Sequence, residues 1–196
     1  PPTQGRGFFK GRQISGLGAA RVCRLGIART YQLVRPFNSL TALENVLIGL
    51  SFGRAHPPPR EVRVAKAMAI LKFMGLGAKA NRAAESLTLV EKKHLEIARA
   101  LATSPEILLL DEVVSGLNPT EMLRTIDTIH QIQAQGVTVI MIEHVLKVVM
   151  ELCQRVVVLN YSIQIAEGSP EEVVSNPEVV EAYLGMFETG EETLRA

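Results

Sequence analysis

Two apolar runs in this chain deliver acidic residues at their ends. Ile107-Leu108-Leu109-Leu110 leads into Asp111-Glu112, and Val137–Ile142 leads into Glu143-His144. A carboxylate carried to the end of a buried strand is suited to hold Mg²⁺ against a phosphate. A second carboxylate, one residue on, can polarise a water beside that phosphate. The same dipeptide has an ordinary use as an acidic cap on the next helix, and the spacing alone does not choose between the two. His144 is the only histidine that directly follows a predicted strand; His56, His94 and His130 read as surface positions on helices or loops. An imidazole at position 144 can be simply solvated or can meet a ligand. Cysteine and histidine spacings offer no metal cage. No serine sits in the glycine pattern of a nucleophile elbow.

The elements that must position these acids follow from periodicity and punctuation. Ile107–Leu110 is a continuous apolar run, as in a parallel strand covered on both faces. Val137–Ile142 reads as a second buried strand, and Arg155–Leu159 as a third. Between them, Asn118-Pro119-Thr120-Glu121 supplies a cap, a proline at the first helical position and an early acid. Met122, Ile126, Ile129 and Gln133 then recur at helical spacing, up to a stop at Gly136. Val145–Cys153 reads as a helix. Strand, helix, strand, helix, strand predicts an α/β sheet with crossover helices.

The stretch from Ala42 to Ser86 differs, because it contains no convincing strand. Thr41-Ala42-Leu43-Glu44 and Thr88-Leu89-Val90-Glu91 both have the form of a capping box that opens a helix. Glu61–Met74 is a helix that ends at Gly75 or Gly77, after the break at Pro57-Pro58-Pro59. Gly7–Lys10 and Gln13-Ile14 suggest a short strand pair about Gly11, and Ser169-Pro170-Glu171-Glu172 starts a terminal helix that Asn176-Pro177-Glu178 restarts.

Composition narrows the class. The 196 residues fit one domain, and 47% hydrophobic with 21% charged residues is globular. A net charge of +1 gives no field for nucleic acid, so no nucleic-acid partner is expected. Two cysteines are too few for a disulfide framework. No apolar run approaches the ~20 residues of a membrane span. The N-terminus has neither the basic start nor the apolar core of a signal peptide.

The order of the segments carries more than any one of them. Gly26-Ile27-Ala28-Arg29-Thr30-Tyr31-Gln32 comes first, then the helical stretch, then Ser86–Glu91 with Leu95–Leu101. Ile107–Glu112, Ser115-Gly116-Leu117-Asn118 and Glu143-His144 follow. This series resembles the ATP-binding cassette (ABC) ATPases over nearly the whole chain. The stretches GIARTYQ, TALENVLIG, SGLNPTE, IEHVLKVVMELCQRVVVLN and IAEGSPEEV…EAYLG are similar in particular to ATP-binding subunits of branched-chain amino acid importers.

The resemblance implies an α/β fold, the parallel-sheet core of a P-loop nucleotide hydrolase with a helical subdomain. It implies a remaining N-terminal core with the Q-loop at 1–41, a helical subdomain with the signature segment at 42–103, a Walker B, D-loop and switch-histidine core at 104–160, and a C-terminal hairpin and helices at 161–196. By the same resemblance Gln32 and Asp111 are ligands of Mg²⁺, Glu112 is the catalytic glutamate and His144 the switch histidine. Ser115 to Asn118 form the D-loop. Thr88, Leu89, Val90 and Glu91 stand where the signature segment meets ATP bound on a facing subunit. The implied partners are a second ATP-binding subunit, membrane permease subunits and, indirectly, a periplasmic or extracellular solute-binding protein. The implied location is peripheral, at the cytoplasmic face of the cell membrane.

Three departures qualify this. No G-x-x-x-x-G-K-[ST] occurs, so the resemblance starts after the first strand and phosphate loop, which suggests N-terminal truncation and a chain that turns over no ATP alone. The family's Leu-Ser-Gly-Gly-Gln is here Leu87-Thr88-Leu89-Val90-Glu91, with side chains where glycines allow close approach to phosphate. Asn118 replaces the D-loop aspartate. The first two departures favour an alternative, a degenerate or non-hydrolysing regulatory subunit; a third reading is an ABC ATPase for another solute.

Overall fold

The computed structural model describes residues 4–54 and 56–182. It divides into two compact units, Pro1–Ile142 and Glu143–Ala196. In the first, β1 (Phe8–Phe9) and β2 (Arg12–Gln13) form the expected short strand pair, which is antiparallel. Then come α1 (Ala19–Leu25), β3 (Ile27–Arg29), α2 (Ala42–Phe52), α3 (Arg60–Phe73), α4 (Leu89–Leu101), β4 (Ile107–Asp111), α5 (Pro119–Ala134) and β5 (Thr138–Ile142). Strands β3, β4 and β5 form one parallel sheet in that order, with Ile27 opposite Ile107 and Thr138 opposite Ile107.

β4 is the central strand, paired along both edges, by β3 and by β5. Leu108 and Leu110 are buried, each contributing about 1.5–3 kcal/mol of apolar burial. β5 was expected to be buried too. Instead it alternates, with Ile140 and Ile142 52% and 64% exposed. It is an edge strand of this sheet, which covers one face only.

Capping sets where α2, α4 and α5 start. Thr41, Thr88 and Asn118 each accept the N–H of the residue three places on, and Glu44, Glu91 and Glu121 each return a bond to the capping N–H. The reciprocal bonds satisfy donors a helix leaves open. Among the described residues between Ala42 and Ser86 the structure has helices and 3₁₀ turns and no strand. α2 lies close on α4 because Gly49 has no side chain: a Cβ there would sit 2.5 Å from the Arg99 carbonyl oxygen and 2.7 Å from Ala102 Cβ.

The second unit contains α6 (Leu146–Leu152), β6 (Val156–Asn160), β7 (Ile163–Gly168) and α7 (Pro170–Val174), with helical residues 177–182 after it. The third strand expected in the parallel sheet is therefore different. β6 pairs antiparallel with β7 in a sheet of its own, because Tyr161-Ser162, both at positive φ, turn the chain back at once. The third strand of the parallel sheet is β3, whose three residues are too short for periodicity to reveal. Val158, Val173 and Val179 form this unit's core with Val156, Ile165 and Ala166. The end of the EAYLG stretch and the remainder of 161–196 beyond residue 182 lie outside the described residues.

Candidate functional site

β3 and β4 bring the first two groups together at their carboxyl ends. Thr30 continues the β3 ladder, donating its N–H to the Leu109 carbonyl at 2.9 Å. That register sets Arg29 beside Asp111, and the guanidinium donates to Asp111 Oδ2 at 2.8 Å. The Arg29 guanidinium also lies over the Tyr31 ring, 5.1 Å from its centre. One residue further, Gln32 donates from Nε2 to Glu112 Oε2 at 2.7 Å. Gln32, 80 residues before Glu112 in sequence, thus lines one cleft with Asp111 and Glu112, together with Thr30, Tyr31, Lys93, Glu96 and Val113.

Asp111 and Glu112 do not cap the next helix; Asn118 does. Asp111 ends β4, and Glu112 leaves the strand in the left-handed region at φ 44°. Such a conformation is costly for a residue with a side chain and persists only where its surroundings hold it. The Glu112 N–H donates to the Ile142 carbonyl at 3.0 Å. Lys93, on the buried face of α4, donates from Nζ to the carbonyls of Glu112 at 3.2 Å, Val113 at 3.1 Å and Ser115 at 2.5 Å.

The same helix holds the loop that carries Gln32. Glu96, 4% exposed, accepts the Arg35 N–H at 2.7 Å. Arg99 bonds both Glu96 and the Arg35 carbonyl, and its guanidinium lies over Phe37. Asn45, fully buried on α2, accepts the Phe37 N–H and donates to the carbonyls of Phe37 and Thr41. Lys93, Glu96 and Asn45 were not picked out by sequence. Lys93 does share a face with Ile97 and Ala100, a lysine in the apolar stripe of an amphipathic helix, and that was the available signal.

The Thr88–Glu91 segment opens α4 beside the 115–118 turn. Leu89 is 51% exposed, and its Cδ2 would be 3.6 Å from a Cβ on Gly116. Thr88 accepts the Glu91 N–H at 3.4 Å and donates its own N–H to Glu91 Oε2 at 3.1 Å. Glu91 is also ion-paired with Lys79. Burial pushes the Glu91 carboxyl up, but the Lys79 ammonium and the Thr88 N–H and hydroxyl together hold it below the usual carboxylate range. The Glu91 charge therefore has a cation beside it.

Ser115 donates its N–H to the Glu112 carbonyl at 3.2 Å, and Asn118 Oδ1 accepts the Glu121 N–H at 3.0 Å. His94, read as a surface position, is partly buried and sits 3.3 Å from the Thr125 hydroxyl; burial lowers its pKa. His144 belongs to the second unit, two residues beyond the end of β5.

The donor set fits a hard cation. Asp111 is a carboxylate, and Gln32 uses its amide nitrogen on Glu112, which leaves the amide oxygen as the atom of the right kind. Mg²⁺ commonly takes one or two protein oxygens, with the remainder from water and phosphate. Among the described residues no group of three or more His, Cys, Asp or Glu side chains could enclose a metal by itself. No described helix is long and apolar enough to cross a membrane.

Comparison with known proteins adds the relatives. The family described as ABC transporter matches residues 1–115, and that described as branched-chain amino acid ATP-binding cassette transporter matches 164–185. The high-affinity branched-chain amino acid transport ATP-binding protein LivG of Escherichia coli (strain K12) is 36% identical, over 94% of this chain and 77% of its own length. An ATP-binding cassette of an ABC transporter, crystallised in its ADP conformation, superposes with a TM-score of 0.81 at 32% identity, covering 93% of this chain and 78% of that one. A dimeric bacterial ABC transporter cassette superposes with a TM-score of 0.77 at 25% identity, over 86% and 75% of the two chains.

Proposed function

This chain belongs to the ATP-binding cassette transporter family, and from that membership we propose that it is the ATP-hydrolysing subunit of an importer of branched-chain amino acids. The observation that carries the catalytic reading is the Gln32–Glu112 hydrogen bond of 2.7 Å beside Asp111 at the end of β4. The solute rests on the match at 164–185 and on what the relatives transport.

Asp111 and the Gln32 amide oxygen would hold Mg²⁺, which when bound neutralises charge on the nucleotide phosphates. The Arg29 guanidinium holds Asp111 Oδ2 until then. Glu112 accepts a proton from the attacking water, and Gln32 orients the accepting carboxylate from Nε2. His144 contacts the γ-phosphate. Ser115 to Asn118 and Thr88 to Glu91 face a second ATP-binding subunit, with Leu89 and Val90 directed away from the nucleotide. The helical segment 42–103 docks on permease subunits at the cytoplasmic face of the membrane, and a solute-binding protein meets those permeases from outside.

Turnover and ATP binding of the full-length protein carrying Glu112→Gln test this. We expect loss of steady-state hydrolysis with ATP binding kept. Wild-type turnover would reduce Glu112 to a turn residue. The half-exposed Leu89, in place of a glycine, favours a second reading, a non-hydrolysing regulatory subunit. An inactive wild type that still binds ATP would select it.

A further inference from the structure

Lys93 is 8% exposed, on the face of α4 that also buries Leu95, Glu96 and Ile97. A buried ammonium carries a heavy desolvation penalty unless its N–H groups find acceptors. Here three acceptors are backbone carbonyls of one short turn, those of Glu112, Val113 and Ser115. Three peptide dipoles converge on a single cation, and the turn cannot open without abandoning it.

That turn begins with Glu112 at φ 44°, where an L residue is strained. Relaxing φ to the ordinary region would rotate the Glu112 carbonyl off Nζ and swing the carboxylate away from Gln32. Glu112 is thus held at three points: its N–H by the Ile142 carbonyl, its carbonyl by Lys93 together with the Ser115 N–H, and its carboxylate by Gln32. Gln32 and Lys93 do so through side chains. Lys93 reaches Glu112 from beneath, through the backbone, while Gln32 grips the carboxylate in the cleft.

We propose that Lys93 is a positioning residue for hydrolysis: it fixes the left-handed conformation of Glu112 and so the place of the carboxylate that accepts the proton. This rests on the reading of Glu112 given above. Lys93 acts through residues 112–115, so its loss should lower the rate of the chemical step and spare nucleotide affinity.

The test measures kcat, KM for ATP and equilibrium ATP binding of the full-length protein. The variants are Glu112→Gln, Lys93→Met, which keeps length and loses the donors, and Lys93→Gln, which keeps an N–H donor. For Lys93→Met we expect kcat lowered about 10- to 100-fold, the scale of a misplaced catalytic group, with KM within about 2-fold. Lys93→Gln should recover part of the loss. Wild-type kcat in Lys93→Met beside an inactive Glu112→Gln would overturn the positioning role and leave the reading of Glu112 intact. Wild-type turnover in Glu112→Gln would overturn both. Parallel loss of kcat and ATP binding in both lysine variants would make Lys93 merely structural and overturn the proposal. If Lys93→Met does not fold, Lys93→Gln decides: a lowered kcat at unchanged KM supports it, and wild-type kcat overturns it.

Discussion

Gly49→Ala sets two effects of opposite sign against each other. Alanine is the better helix former by about 1 kcal/mol, so at an open position of α2 the change would stabilise. At Gly49 the new methyl carbon would lie 2.5 Å from the Arg99 carbonyl oxygen and 2.7 Å from Ala102 Cβ. Carbon atoms prefer about 3.5–4.0 Å, so the overlap is close to 1 Å. The first obstacle is backbone, which no rotamer change can move. α2 must therefore lift from α4. Overpacking of this kind costs about 1–3 kcal/mol. A rigid partner puts the cost at the upper end, and the net expectation is about 2 kcal/mol of destabilisation after the helix-forming gain. Urea unfolding followed by helical circular dichroism reads this directly. With a slope of about 2 kcal/mol per molar, the midpoint should fall by about 1 M. An unchanged or raised midpoint would mean that α2 and α4 are not in close contact at Gly49, and the support of α4 beneath the site would need another source.

Two further outcomes follow from the capping of α4. Thr88→Ala should destabilise the protein by about 1 kcal/mol and weaken ATP-driven dimerisation, whereas Thr88→Ser should largely preserve both; sedimentation and thermal melts of the two variants decide, and identical wild-type behaviour would remove the segment from the catalytic cycle. Glu91, held below its ordinary pKa when folded, contributes stability that is present above its unfolded value of about 4.3 and lost as pH falls through the lower folded one. The urea midpoint should therefore drop between about pH 5 and 3, and less steeply in Lys79→Met, while equal slopes would mean that the Lys79 ion pair does not persist in solution.

What the sequence disclosed was local. The capping boxes at Thr41 and Thr88 and the Asn118-Pro119 start are all where the residue types put them, because each bond closes within three residues. β4 was legible because four consecutive apolar residues met a turn signal. Long-range partners were not. β3 is three residues long with Ala28 alone buried, so no periodicity marks it. β6 looked like another sheet strand because its apolar content is the same in a parallel sheet or a hairpin; only the tight turn at Tyr161-Ser162 distinguishes them. The juxtaposition of Gln32, Asp111 and Glu112 could be expected from motif order. The three side chains beneath it, Lys93, Glu96 and Asn45, are polar residues that look solvated until the carbonyls and N–H groups they meet are seen.

The parallel pairing of β3 with β4 also orders events in time. Its strands, and the bonds Gln32–Glu112 and Arg29–Asp111, join residues 80 and 82 positions apart. A loop of that length is entropically expensive to close while it is a random coil. The intervening residues contain α2, α3 and α4, which can form from contacts within their own stretch and shorten the effective loop. On the ribosome, Arg29 and Gln32 emerge long before their acids do, and they must wait for the helical block to collapse. Slow steps in acquiring the site therefore belong to this segment's docking rather than to the strands themselves.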